Sequence, residues 1–252
     1  MAFSFVSILS LRKELIILSV IKLSERLLAV ASYVEVGSVV ADIGSDHAYL
    51  PIYLIQKGIV EKAVAGEVIR GPYETAKNSV DSRGVSDKIT VRLANGLNAI
   101  EENDRIDTVT IAGMGGSLIA TILEEGKNRL QDVRRLIVQP NLHAQAIRTW
   151  AVKNDWKIVD EEIMKEDGKI YEILVFEKGR TTYNELELLV GPFLLSEKNE
   201  VFLEKWGDET KQIVHVLESL ENAVETPERN VKKGQLTKKL SMIKKVLEHE
   251  DN

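Results

Sequence analysis

The chain has 252 residues, of which 44% are hydrophobic and 29% charged, and its formal net charge is −6. This length accommodates one α/β domain of roughly 150 residues and a smaller unit, and the acidic balance excludes a global field that attracts nucleic acid. The absence of cysteine excludes disulfides, thiolate metal sites and cysteine nucleophiles, and the four histidines lack metal-ligand spacing. We expect a cytoplasmic protein without a metal.

The first 21 residues are apolar but are interrupted by Arg12, Lys13 and Glu14. The uncharged runs on either side are shorter than the ~20 residues that cross a bilayer, and no small-residue cleavage site follows them. We interpret residues 1–21 as a poorly packed extension, consistent with a start codon assigned too early. A helix lying on a membrane surface and a docked structural helix are the alternatives.

From Ser24, a predicted helix cap, strands and helices alternate along the chain. Strands are predicted in "SVVADIG", "KAVAGEV", "KITVRLANG", "IDTVTIAGMGG" and "VRRLIVQPN", and helices in "YLPIYLIQKG", "PYETAKNSVDSRG", "SLIATILEEGKNRL" and "HAQAIRTWAVKND". This alternation indicates crossover units in a parallel sheet. Two further strands, "WKIVDEEIM" and "KIYEILVFE", are joined around Asp167-Gly168, a signal for a short hairpin. Five parallel strands closed by an antiparallel hairpin are typical of the α/β fold with the seven-stranded, Rossmann-like class I methyltransferase sheet.

Beyond Gly179 the sequence predicts an antiparallel coiled-coil hairpin at residues 183–252. Apolar positions recur at spacings of 3 and 4 on either side of Pro227. They are Leu203, Trp206, Thr210, Ile213, Leu217, Leu220 and Val224, then Leu236, Leu240, Ile243 and Leu247. Residues 185–225 contain ten acids and three bases, whereas residues 229–245 contain seven bases and no acid. The basic run can contact nucleic-acid phosphates or pair with the acidic helix.

Glycines and polar residues end four of the predicted parallel strands, on the rim where open α/β sheets bind ligands. Gly44 allows a tight turn, and Glu67 lies 23 residues later, where a carboxylate accepts ribose hydroxyls. Asn95 can pair with an adenine edge, and "AGMGG", residues 112–116, leaves room for a ligand against bare backbone. The predicted cofactor-binding residues are Asp42, Gly44, Ser45, His47, Glu67, Val68, Asn95, Gly96, Gly113 and Met114.

The turn after the first strand discriminates between cofactors. A pyrophosphate needs the close backbone approach that a G-x-G-x-x-G pattern provides. Here the corresponding position is Asp46, whose charge repels a diphosphate. S-adenosylmethionine has no phosphate and carries a sulfonium cation, so this loop favours S-adenosylmethionine over NAD.

Several segments resemble the bacterial TrmK family, in order and from about residue 22 to the end. They are "LSERL", "ADIGSDHAYLP", "AGEV..GP", "TIAGMGG", "QPN.H...IR.W", "EDGK.YEILV" and "VGPFL...KN..FL.KW". The resemblance implies a class I methyltransferase domain, here residues 22–180, followed by the coiled-coil hairpin. It also implies methyl transfer from S-adenosylmethionine to N1 of adenine 22 in the D-arm of tRNA. Asn95 departs from the Asp that class I enzymes often carry, although an amide can also pair with adenine.

Within this resemblance, Asp46 is the expected catalytic carboxylate, accepting a hydrogen bond from the adenine N6 amine; its alternative role is to cap the following helix. His47 either binds cofactor or base or is satisfied by backbone, and Tyr49 either stacks on the adenine or belongs to the core. The other predicted substrate contacts are Gln139, Pro140 and Asn141, which otherwise shape their loop, and Lys232, Lys233, Lys238 and Lys239.

Three other functions remain open: a methyltransferase of the same fold for a small molecule or protein, a non-catalytic S-adenosylmethionine- or tRNA-binding module, and a coiled-coil dimeriser. The hairpin argues against a small substrate, which needs no such arm, and a binding module has no use for Asp46. We expect tRNA as the partner, no membrane association and a monomer.

Overall fold

The computed structural model describes residues 20–221 and 224–248. Most of the predicted N-terminal extension, residues 1–19, therefore lies outside the described residues. Ile21, assigned to that extension, is buried, and its N–H donates to Oε1 of Gln56 at 2.8 Å. None of the helices within the described ranges combines the length and apolar character needed to cross a bilayer.

A seven-stranded sheet forms the centre of the fold, in the order β3-β2-β1-β4-β5-β7-β6. Its strands are β1 (Val39–Ile43), β2 (Lys62–Glu67), β3 (Ile89–Leu93), β4 (Thr108–Gly115), β5 (Arg135–Leu142), β6 (Trp156–Glu166) and β7 (Lys169–Lys178). Strands β1 to β5 pair in parallel, and β7 is antiparallel to both β5 and β6. Asp167 and Gly168, with φ of 50° and 74°, form the predicted two-residue turn. The predicted α/β fold class with a seven-stranded sheet is confirmed.

Helices cover both faces of the sheet. They are α1 (Glu25–Ser32), α2 (Tyr49–Gln56), α3 (Arg70–Ser82), α4 (Gly116–Glu125) and α5 (Ala144–Lys153). Helices α1 to α3 bury their apolar side chains against one face, together with Val40 and Ala65. Helices α4 and α5 pack against the other face, together with Ala41 and Ile111. Alternate residues of each buried strand thus contribute to opposite cores, which is why these strands are apolar throughout.

Four helices follow the sheet: α6 (Glu185–Val190), α7 (Pro192–Glu197), α8 (Glu200–Glu221) and α9 (Pro227–Leu247). Helices α8 and α9 run antiparallel. Arg229 Nε at the start of α9 donates to the carbonyl of Leu220 at the end of α8, and Lys198 Nζ, just before α8, donates to the carbonyl of Val246 near the end of α9. Val224 is 85% exposed and lies between the helices. Its predicted place in the apolar seam is wrong, because α8 ends at Glu221.

A buried ionic network joins this helical arm to the sheet. The fully buried Arg148 of α5 donates to Glu161 of β6 and Glu172 of β7, both at 2.6 Å. Lys205 of α8 donates to the second oxygen of Glu172, and the N–H of Phe193 in α7 donates to Glu161 at 3.0 Å. Paired charges of this kind are costly to separate, so they hold the arm in one position on the sheet.

Candidate active site

The candidate site lies at the carboxyl ends of the parallel strands. The chain runs outward from β1 to β2 and β3, then returns to place β4 on the other side of β1. Ligands of open α/β sheets bind at such a reversal. The turns after β1 and β2 and the last residues of β4 and β5 meet at this rim, and they carry most of the predicted site residues.

The turn after β1 contains three residues in the left-handed conformation: Gly44, Asp46 and Ala48, with φ of 72°, 52° and 57°. This conformation is uncommon for residues other than glycine. Hydrogen bonds from the N–H groups of Gly44 and Ser45 to the carbonyl of Gly66, at 2.9 and 3.2 Å, hold the turn against β2. Strained backbone of this kind clusters at functional sites.

Asp42 ends β1 with a buried carboxylate that accepts hydrogen bonds from two hydroxyl groups. Ser45 Oγ donates at 2.5 Å and Thr110 Oγ1 at 2.7 Å. Burial raises the pKa of Asp42 to about 6, although both hydroxyl groups act in the opposite direction. Thr110 was not predicted; its signal is a hydroxyl within the apolar run of β4.

Gly44 and Met114 bring the turn after β1 into contact with the end of β4. The methyl group of Met114 occupies the position that a Cβ atom at Gly44 would take. The left-handed φ of Gly44 already disfavours other residues. Glycine is therefore favoured here by backbone conformation, whereas the flexible end of the Met114 side chain can move away from a Cβ atom.

Asp46 extends its carboxylate toward solvent while its backbone is fixed. Its side chain is 67% exposed, and Oδ2 lies 3.0 Å from Nδ1 of His47. Its N–H donates to Oε1 of Glu67, which is buried at the end of β2. Helix α2 begins after Ala48 without a side-chain cap, so the alternative role of Asp46 as a helix cap is wrong.

His47 and Tyr49 form an aromatic pair beside Asp46. Their ring centroids are 4.9 Å apart, and Tyr49 is 40% exposed, so it is not a core residue. The rings stand next to the only carboxylate that the β1 turn directs outward among its described residues. This arrangement presents a stacking surface and a hydrogen-bond acceptor side by side.

The predicted residues Gln139, Pro140 and Asn141 lie in the last part of β5 and shape this end of the strand. Gln139 and Pro140 are buried, and Oε1 of Gln139 accepts hydrogen bonds from Arg26 Nη1 and from the N–H of Gly113. Asn141 is exposed, and its Nδ2 donates to the carbonyl of Gly113 at 2.8 Å. Sequence reasoning missed Arg26, although it lies within the "LSERL" segment.

At the other end of the rim, the turns after β2 and β3 leave an apolar edge beside an amide. Val68 is 60% exposed, Asn95 is exposed, and Gly96 has φ of 53° and lies against Ile122. The N–H of Ala94 donates to the carbonyl of Glu67 at 2.7 Å, which joins the two turns. The predicted adenine contacts thus adjoin the predicted ribose contact.

Three of the four predicted phosphate-binding lysines are in ion pairs. Lys233 pairs with Glu221 at 3.3 Å, Lys238 with Glu185 at 2.5 Å, and Lys239 with Glu209. The alternative interpretation of the basic run, pairing within the arm, therefore holds for these three. Within residues 224–248 the exposed lysines without an ion-pair partner are Lys232, Lys244 and Lys245.

No group of three or more His, Asp or Glu side chains within residues 20–221 and 224–248 is arranged to hold a metal ion. The polar groups at the rim are carboxylates, amides and hydroxyl groups, and two aromatic rings stand beside them.

Comparison with known proteins agrees with this geometry. The sequence model of the TrmK family, described as tRNA (adenine(22)-N(1))-methyltransferase, matches residues 40–245. The tRNA (adenine(22)-N(1))-methyltransferase of Bacillus subtilis is 45% identical over 235 residues, which are 91% of this chain and 98% of that protein.

Solved structures show the same relationship. The B. subtilis m1A22 tRNA methyltransferase TrmK superposes with a TM-score of 0.86 at 44% identity, covering 90% of this chain and 99% of that one. A putative tRNA (m1A22) methyltransferase of Streptococcus pneumoniae, in complex with S-adenosyl-L-methionine, gives 0.82 at 45% identity, covering 90% and 100%. The chain belongs to the TrmK family of class I methyltransferases.

Proposed function

We propose that this chain transfers a methyl group from S-adenosylmethionine to N1 of adenine 22 in tRNA, with Asp46 as the catalytic carboxylate. The observation that carries the proposal is the geometry of Asp46. Its backbone N–H is bound to Glu67, while its carboxylate stays 67% exposed at the rim. A carboxylate held in this way is available to a base that enters from solvent.

The residues at the rim fit a cationic cofactor without phosphate. Asp42 and Glu67 are buried acids at the ends of β1 and β2, and Gly44 lies in the turn that follows Asp42. When bound, S-adenosylmethionine supplies a methyl group on positively charged sulfur. Asp42, Gly44, Ser45 and His47 would hold its amino-acid end beside Gly113 and Met114, Glu67 its ribose, and Val68, Asn95 and Gly96 its adenine.

Asp46 orients the target base and stabilises the charge that it acquires. N1 of adenine has an in-plane lone pair, so the base needs alignment rather than deprotonation. Methylation leaves the base with a positive charge. The Asp46 carboxylate accepts a hydrogen bond from the N6 amine and attracts this charge as it develops.

His47 and Tyr49 assist Asp46. His47 lies within hydrogen-bond distance of the Asp46 carboxylate and so restricts its orientation. The exposed ring of Tyr49 stacks on the target adenine, a contact of about 1–3 kcal/mol in proteins that bind single strands. Asn141, also exposed, bonds to Gln139 and Gly113 and keeps a second amide hydrogen and a second lone pair for the base edge.

The helical arm contacts the tRNA backbone. Lys233, Lys238 and Lys245 line an open groove of about 780 Å³ together with Asn230, Thr237 and Ser241. These are donors suited to phosphate oxygens. Surface ion pairs contribute little energy, so the paired lysines can exchange their carboxylates for phosphates. N1 lies on the Watson–Crick edge, so the adenine must leave its stack before it reaches Asp46.

Methylation of a defined transcript tests this proposal. The protein is incubated with labelled S-adenosylmethionine and an unmodified bacterial tRNA transcript, and the nucleosides are then separated. We expect N1-methyladenosine, and no label in a matched transcript in which guanosine replaces adenosine 22. Label in any other nucleoside, or label that is retained after the replacement, would contradict the assigned target.

A further inference from the structure

We infer that Arg26 is a positioning residue for methyl transfer, acting through Gln139 on the backbone of Gly113. The inference rests on the proposed function and concerns how its site is held in shape. Arg26 lies on α1, outside the sheet, and its guanidinium reaches the end of β4 at the rim.

Gln139 connects Arg26 to Gly113 at the end of β4. The Gln139 side chain is fully buried, and its Oε1 accepts hydrogen bonds from both Arg26 Nη1 and the N–H of Gly113, the latter at 3.0 Å. Two donors at one oxygen fix the orientation of the amide, because the amide nitrogen cannot accept them. The bond from the guanidinium is charge-assisted and hence the stronger kind.

The oriented amide then fixes the other side of Gly113. Nε2 of Gln139 donates to Oδ1 of Asn141 at 3.3 Å, which leaves Nδ2 of Asn141 to donate to the carbonyl of Gly113 at 2.8 Å. Both backbone polar groups of Gly113 are thus held by one ring of hydrogen bonds. The left-handed φ of Gly113, 79°, is maintained by this ring.

Arg26 itself is held by two further contacts. Its guanidinium lies 5.3 Å from the ring centroid of Tyr171, a cation–π arrangement. The backbone N–H groups of Glu25 and Arg26 approach the carboxylate of Glu166 at 2.6 and 3.4 Å. A Cβ atom at Gly113 would lie 3.8 Å from Arg26 Nη1, so the guanidinium stands directly against the turn that it stabilises.

The end of β4, which Arg26 supports, borders the turn that carries Asp46. Gly113 is followed by Met114, whose methyl group contacts Gly44 in the cofactor turn. A shift of this backbone would displace Met114 and, through it, the turn after β1 that carries Asp46. Misplacement by about 1 Å can lower a rate by about 100-fold.

Arg26→Met, Gln139→Met and the double variant test the inference. We expect kcat to fall about 10- to 100-fold in each single variant, with the KM for tRNA within about threefold of wild type. The double variant is expected to lose no more than Gln139→Met alone, because residues that act through one contact are not additive. Arg180→Met, at an 88% exposed arginine, is the matched control.

Hydrogen–deuterium exchange gives a readout independent of turnover. Peptides spanning residues 111–117 should exchange faster in Arg26→Met and in Gln139→Met than in wild type or Arg180→Met. Arg26→Lys keeps the charge without the planar fork; it should recover part of kcat, and it replaces Arg26→Met in all comparisons if the latter does not fold.

A rise in KM with unchanged kcat would overturn the inference, since Arg26 would then contact tRNA directly. Fully additive losses in the double variant, or unchanged exchange at residues 111–117, would overturn it as well. Failure of the proposed function is distinct, because wild-type protein would then not form N1-methyladenosine. The positioning role is tested by the hydrogen–deuterium exchange of residues 111–117 and by the kcat of each variant relative to wild type.

Discussion

The backbone N–H of Asp46 donates to the carboxylate of Glu67. In the proposed function the main chain of Asp46 thus lies on the side of the turn that faces the cofactor ribose. Its side chain lies on the side that faces the target adenine. The hydrogen bond depends on the backbone of Asp46 only, so substitution of its side chain leaves the bond in place. Loss of the Asp46 carboxylate can therefore be separated from loss of the cofactor site.

Asp46→Asn is expected to lower kcat by about 100- to 1,000-fold, the range found when a group that stabilises developing charge is removed. Affinity for S-adenosylmethionine should stay within about threefold of wild type, because Glu67 keeps its backbone donor. Steady-state kinetics and calorimetry measure the two quantities. Asp132→Asn, at an exposed aspartate, is the control. Turnover within twofold of wild type would exclude a catalytic role for Asp46.

Asp42 makes the stability of the protein depend on pH. Its pKa is about 6 instead of 3.8, so between about pH 4 and 6 the folded chain holds a proton that the unfolded chain has released. Stability therefore falls as the pH rises through this range. The shift corresponds to about 3 kcal/mol. We expect Asp42→Asn to raise the Tm at pH 7, and the gain to disappear near about pH 4.

The same substitution should weaken cofactor binding. A positively charged ligand favours the ionised form of Asp42, which predominates in wild type above about pH 6. Asp42→Asn cannot ionise, so the variant lacks this attraction at every pH. Thermal unfolding and calorimetry across this range check both effects, with Asp87→Asn at an exposed site as the control. If Asp42→Asn were less stable than wild type at pH 7, burial of the ionised Asp42 carboxylate would not be destabilising.

Sequence periodicity was sufficient to predict the sheet and its closing hairpin, because each buried strand is a short apolar run and the Asp167-Gly168 turn has a local signature. Arg26 could not be found in this way, since its partner Gln139 lies 113 residues away. The short helices α6 and α7 were missed as well. They pack on the ionic network around Arg148, whose charged members come from four elements.

The lysines illustrate a second limit of the sequence. A basic helix next to an acidic one is compatible both with phosphate binding and with internal pairing. Only the relative placement of α6, α8 and α9 shows which lysines are paired. The place of Asp46, by contrast, followed from local chemistry, because a charged residue in the first turn already excludes a diphosphate.

Gly44→Ala should weaken binding of S-adenosylmethionine about 10-fold, because the left-handed backbone becomes strained and the new methyl group displaces the end of the Met114 side chain beside the proposed cofactor site. Calorimetric Kd values measure this. Gly71→Ala, where the new methyl group meets open space, is the matched control. Equal affinities for Gly44→Ala and Gly71→Ala would show that the conformation of Gly44 does not matter for cofactor binding.

Glu172→Gln should destabilise the protein by about 3–5 kcal/mol, because it leaves the buried Arg148 and the half-buried Lys205 without their shared carboxylate. Glu177→Gln, which breaks the partly exposed pair with Arg135, should cost less than about 1 kcal/mol. Urea unfolding compares the two variants. Similar midpoints for both would show that the network does not hold the arm on the sheet.

The arm can be tested by comparing two sets of lysines. Alanine at the unpaired Lys232, Lys244 and Lys245 should reduce the dependence of log K on log[salt] by about one unit for each phosphate that is no longer neutralised. Alanine at Lys233, Lys238 and Lys239 should reduce it less, because these lysines must first leave Glu221, Glu185 and Glu209. Filter binding of tRNA at several salt concentrations gives both slopes. In the proposed function S-adenosylmethionine binds at the sheet rim, so its affinity should not change in either set. Unchanged slopes in both sets would assign the arm a structural role and place the phosphate contacts elsewhere on the chain.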